Sequence, residues 1–143
     1  MTAKDYLKQI SLLEARYKTK LEEVTDMRLL AESTGAIRYD KDHVITSPSG
    51  EGMINAIIRI TEAESKAMKA AYELAEKKQE IIDKIIQLDD ERCMRLLCLY
   101  YVKHLKLDEV AKYMRYSSDR IRHLHQDALT LFEETYPEIK KIS

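Results

Sequence analysis

The sequence is poor in the residues that bend a chain: it holds three glycines and two prolines, and all three glycines plus Pro48 fall between positions 35 and 52. Nothing else interrupts a helix before Pro137, so the composition predicts a helix-rich protein. Cysteine is equally scarce. Cys93 and Cys98 have no second pair to complete a zinc site or a disulfide framework, and they read as reduced core residues. No apolar run approaches the roughly 20 residues of a membrane span. The opening MTAKDYLKQI lacks the apolar region of a signal peptide, so no membrane partner is expected and the cytoplasm is the expected location. Charge of one sign is also missing. Lys plus Arg number 24 and Asp plus Glu 25, which excludes a polycation and confines any nucleic-acid surface to a local patch. No phosphate-binding loop, Ser-His-Asp spacing or catalytic carboxylate pair stands out, so neither an enzyme nor a cofactor is expected. A length of 143 residues argues against a two-domain enzyme with a separate cofactor fold.

Two long amphipathic stretches fill the first part of the chain. Ile10, Leu13, Tyr17, Leu21, Val24 and Met27 recur every three or four residues and predict one helix over 4–33, with Thr2 able to cap its start. Turn formers concentrate between Ser33 and Gly52 and predict a long loop there. From Met53 to Leu88 a second helix carries Ile57, Ile60, Glu64, Ala67, Ala71, Leu74, Lys78, Ile81, Ile85 and Leu88 at strict three-four spacing. Such a helix would extend about 54 Å and needs a partner along its length. The expectation is an antiparallel helical hairpin over 1–88 that pairs as a homodimer, with Ile57, Ile60, Ala67, Ala71, Leu74, Ile81 and Ile85 as oligomerisation residues. This region holds 14 basic and 15 acidic residues and offers a polyanion no net attraction.

The heptad ends at Leu88-Asp89-Asp90, where a carboxylate can cap a new helix, and a domain is expected over 89–136 with 137–143 as a tail. Met94, Leu97, Cys98 and Tyr101 mark a helix from about Asp90 to Val102. A two-turn helix over Leu107–Met114 follows, then Arg115-Tyr116-Ser117, then a helix from Ser118 to about Glu134. Ala111 supplies the small residue that a helix-turn-helix needs where its helices cross, while Ile121 and Leu124 supply the facing apolar side. His123 and His125 flank Leu124 about 200° apart on a helix and cannot chelate one metal. Between 103 and 125 six Lys or Arg outnumber three Asp or Glu, a local excess of three positive charges.

Asp90-Glu91-Arg92, Leu97 to Tyr101, Leu107-Asp108-Glu109-Val110-Ala111, Ser117-Ser118-Asp119-Arg120-Ile121-Arg122-His123-Leu124 and Ala128-Leu129 together resemble region 4 of bacterial sigma factors, over about 45 residues. Across its length the chain looks like the small sigma-region-4-like proteins of Gram-positive phages, the broad group of ArpU-type and RinA-type late transcriptional regulators. The resemblance implies an all-α fold, a sequence-specific regulator of phage or prophage genes, and duplex DNA as partner. It also implies Ser118, Asp119, Arg122 and His123 as base-facing residues. Lys106, Lys112, Arg115, Ser117 and Arg120 are then placed as phosphate contacts. Two departures stand out: Arg115 and His104 occupy positions where the family uses glycine, so both turns must form without it. Ser118 and His123 replace the family's usual Arg and Gln, which implies a different DNA sequence. Rival readings are a DNA-packaging adaptor like a terminase small subunit, and a module that docks on bacterial RNA polymerase.

Overall fold

The computed structural model describes residues 1–33 and 50–142, and the elements among them are all helical. Helix α1 spans Ala3–Leu7 and α2 spans Gln9–Ser33. The predicted cap is present, with Thr2 Oγ1 accepting the Asp5 N–H at 3.1 Å. The single helix expected over 4–33 is interrupted at Lys8, although the N–H groups of Lys8 and Leu12 still reach the carbonyls of Lys4 and Lys8. Helix α3 spans Gly50–Ile86. Of the loop expected between Ser33 and Gly52, Ser33 and Gly50 to Gly52 are helical, and 34–49 lie outside the described residues. Next come α4 (Glu91–Leu97), a π-helical turn (Cys98–Val102), α5 (Leu107–Met114), α6 (Ser118–Thr135) and a 3-10 turn (Pro137–Lys141).

The chain divides into two compact units, but not at the boundary the sequence suggests. The first comprises Met1–Leu12 together with Leu74–Ser143, and the second is Leu13–Glu73. The reason lies in the core of the first unit, where Leu7, Ile10, Ile81 and Ile85 are fully buried alongside Leu96, Leu97, Val110, Ile121 and Phe132. A boundary at 88 would strip that core of four large apolar side chains. Polar bonds tie the same segments together. Tyr6 donates its hydroxyl to Glu80 Oε2 at 2.6 Å, which holds the Glu80 carboxyl below its ordinary range, while burial raises the Tyr6 phenol. Burial likewise pushes the Cys93 thiol up to about 11.

Of the tail expected over 137–143, residues 137–142 are packed rather than loose, and 143 lies outside the described residues. Pro137 opens the 3-10 turn, and Ile139 is buried in the same core. The Tyr136 hydroxyl donates to the Lys84 carbonyl at 2.7 Å, the Lys84 ammonium lies 4.4 Å from the Tyr136 ring centre, and the Met1 amino group donates to the Ile142 carbonyl at 2.8 Å. The period of the sequence could not announce this, because five residues are too few to carry one.

In the second unit Val24 is buried with Ala63 and Ala67, and Arg28 pairs with Glu64. Met27 and Ala31 border a cavity of about 420 Å³ with Ala56 and Ile60. Position numbers therefore rise along α2 as they fall along α3. These contacts correct the oligomerisation set. Ile81 and Ile85 are wholly inside the first unit, Leu74 packs against its core, and Ala67 is buried against Val24, so none of the four is available to a second copy. Ile60 and Ala71 are half-buried, and only Ile57 remains a large exposed side chain. The three-four seam is largely consumed within the chain. No helix among the described residues is long and apolar enough to cross a membrane.

Candidate nucleic-acid interface

Two non-glycine residues in the left-handed region frame α5. Arg115 has φ 60° and ψ 44°. Its N–H donates to the Lys112 carbonyl at 3.2 Å and that of Tyr116 to the Ala111 carbonyl at 2.8 Å, the paired bonds of a Schellman stop. His104, with φ 59°, also lies in the left-handed region, just before α5, but without those paired bonds. There the preceding turn is π-widened: Lys103 N–H reaches the Cys98 carbonyl and Leu105 N–H the Leu99 carbonyl, both at 3.0 Å. Glycine would adopt either conformation without the steric cost of a Cβ.

Helix starts are fixed by side chains. Asp90 Oδ1 accepts from the N–H groups of Arg92 and Cys93 at 2.9 and 3.3 Å, and these bonds hold its carboxyl below the ordinary range. Lys106 N–H donates to Glu109 Oε1 at 3.3 Å at the start of α5. Ser117 Oγ accepts the Arg120 N–H at 3.2 Å and starts α6.

Helix α6 has two unlike faces. Ile121, Leu124, His125, Ala128 and Phe132 are buried. Ser118, Asp119, Arg122 and His123 are all exposed. At 3.6 residues per turn Arg122 lies one turn beyond Ser118, and His123 one turn beyond Asp119, so the four form one polar patch. Lys106, Lys112, Arg115, Ser117 and Arg120 are exposed as well. The Arg120 guanidinium lies 3.9 Å from the centre of the Tyr116 ring, which holds this cation close to the turn.

Three residues escaped the sequence reading. Gln126 is exposed one turn beyond Arg122 on the same face of α6, and its amide can pair with an adenine edge; its spacing from Arg122 was the available signal. Lys8 and Ser11 border a cavity of about 360 Å³ with His104 and Lys106, and Ser11 Oγ lies 3.4 Å from His104 Nδ1. Nothing in the sequence links positions 8 and 106, since only folding brings them together.

His125 behaves unlike its neighbour His123. It is buried, with Nε2 at 2.8 Å from the Tyr101 hydroxyl and the Tyr100 ring 5.0 Å away. Burial, helped by the Lys4 charge, lowers its pKa and keeps the imidazole neutral. Among the described residues no three His, Cys, Asp or Glu side chains converge to hold a metal. No family model matches the chain, and neither a curated protein nor a solved structure matches it.

Proposed function

We propose that this chain is a sequence-specific DNA-binding regulator, with α5 and α6 acting as a helix-turn-helix and α6 entering the major groove. One observation carries the reading: a short helix ends in a Schellman stop, and the next helix starts at a serine cap with Ser118, Asp119, Arg122 and His123 exposed and its opposite face buried. All six Lys and Arg between 103 and 125 are exposed, which provides the local attraction for phosphates that the balanced whole chain lacks. Arg122 reads guanine through its two-pronged guanidinium. Arg115, Arg120, Lys106 and Lys112 neutralise phosphates, and Ser117 adds a hydroxyl donor. The resemblance to sigma region 4 and to small phage regulators makes phage or prophage promoter DNA the expected target.

Selection of bound duplexes from genomic fragments at physiological salt tests the reading. The wild type should enrich one motif. Arg122→Ala should lose about 1–3 kcal/mol of discrimination at one base pair, roughly 5- to 150-fold. Arg115→Ala should weaken binding to all sequences and reduce the salt dependence by about one phosphate contact. Equal binding of every duplex by wild type and variants would defeat the proposal.

A further inference from the structure

Helix α3 carries a second, uncharged stripe, apolar at both ends and hydroxylic at its centre. Ile54, Ile58, Thr61, Ser65, Met68 and Tyr72 recur at four-three spacing, one residue out of step with the seam through Ile57, Ile60 and Ala67. At 3.6 residues per turn these six positions stay within roughly 40° of one line, nearly opposite the Ala63–Ala67 face buried against Val24. Folding leaves the stripe outside. Ile54 is 55% exposed, Ile58 48%, Met68 74% and Tyr72 65%, with Ile57 at 46% on its border. Not one of the six positions is charged, although 34% of the chain is.

We propose that this stripe is where a second copy of the chain pairs, antiparallel and centred near residue 63. Three observations select that occupant. A four-three repeat is met most closely by another helix with the same repeat, and the chain itself supplies one. The stripe is also self-complementary in size: antiparallel pairing about its midpoint sets Ile54 against Tyr72, Ile58 against Met68, and the small Thr61 against Ser65, so bulk meets bulk at both ends. Finally, the exposed side chains along about 27 Å of helix amount to on the order of 600 Å² per copy, so pairing can bury at most about 1,200 Å² in total, the lower end of specific interfaces. Lys69, Glu62 and Glu73 border the stripe and keep it soluble-faced at its rim. The pairing does not depend on the DNA reading, since its residues lie in the second unit and the DNA-facing ones in the first.

Sedimentation equilibrium of the full chain without DNA, from about 1 to 100 μM, measures the mass directly. Wild type should reach twice the chain mass. Ile58→Glu and Met68→Lys, each at an exposed position, should stay monomeric with unchanged circular dichroism. An equimolar mixture of the two should recover the dimer, because antiparallel pairing brings the new carboxylate of one copy opposite the new ammonium of the other. A monomeric wild type would overturn the proposal. So would an oligomer indifferent to both substitutions, or a mixture that stays monomeric.

Discussion

Arg115 and His104 show what single residues contribute here. Each sits in the left-handed region at an energetic cost of about 1–2 kcal/mol that glycine would avoid. At Arg115 the cost coincides with a cation beside the start of α6, where glycine would offer no charge. His125 makes a residue-scale contribution of another kind. Burial lowers its pKa, with the Lys4 charge adding to the effect, and its imidazole packs among Tyr100 and Tyr101. In the unfolded chain the same ring takes a proton at an ordinary value of about 6.5. Below that pH the unfolded state binds the extra proton, so the stability from neutral His125 is complete above about pH 6.5 and is lost as pH falls toward the lowered folded value. His125→Gln should flatten the fall in Tm between pH 7 and 5; a slope equal to that of the wild type would show that other groups set it.

At the scale of elements, local chemistry explains where helices begin and end. Asp90 and Ser117 cap α4 and α6, and the bounds of α5 coincide with those read from the period of Leu107 to Met114. Short connections were harder to read. The π-helical turn over Cys98–Val102 has the same apolar spacing as an ordinary helix, so the sequence merged it with α4 into one helix from about Asp90 to Val102. The 3-10 turn over Pro137–Lys141 owes its position to Ile139 and Tyr136, whose partners lie far away in the chain. Ile139→Ala should cost about 2–4 kcal/mol in urea unfolding, the ordinary penalty for a buried isoleucine. A change below about 0.5 kcal/mol would mean that the turn contributes nothing to the core.

At the scale of the molecule, the first unit joins both ends of the chain. Ala3, Tyr6, Leu7 and Ile10 share a core with Ile81, Ile85 and the residues of α4 to α6. The domain drawn from the sequence therefore lacks part of its own interior. A fragment of residues 89–143 should show no cooperative thermal transition by circular dichroism, whereas the full chain should. A sharp transition in the fragment would show that the distant apolar residues are dispensable. The second unit differs, with Val24, Ala63 and Ala67 as its buried cluster among the described residues and a row of apolar side chains left outside.

The sequence by itself determined the all-helical class, the span of α5, and the caps of α4 and α6. Each depends on neighbours within a few positions: helical period, a capping oxygen, or backbone freedom. The buried and exposed faces of α6 likewise follow from one period, whereas the choice of Ser118, Asp119, Arg122 and His123 as candidate DNA-facing residues came from the resemblance to sigma region 4. Only the tertiary structure decided which of the two stripes on α3 is buried, since both satisfy a heptad and only contact with Val24 and the first-unit core distinguishes them. The union of the N-terminal segment, the end of α3 and the C-terminal turn in one core was likewise decided by packing between residues far apart in sequence, which periodicity along one segment does not encode.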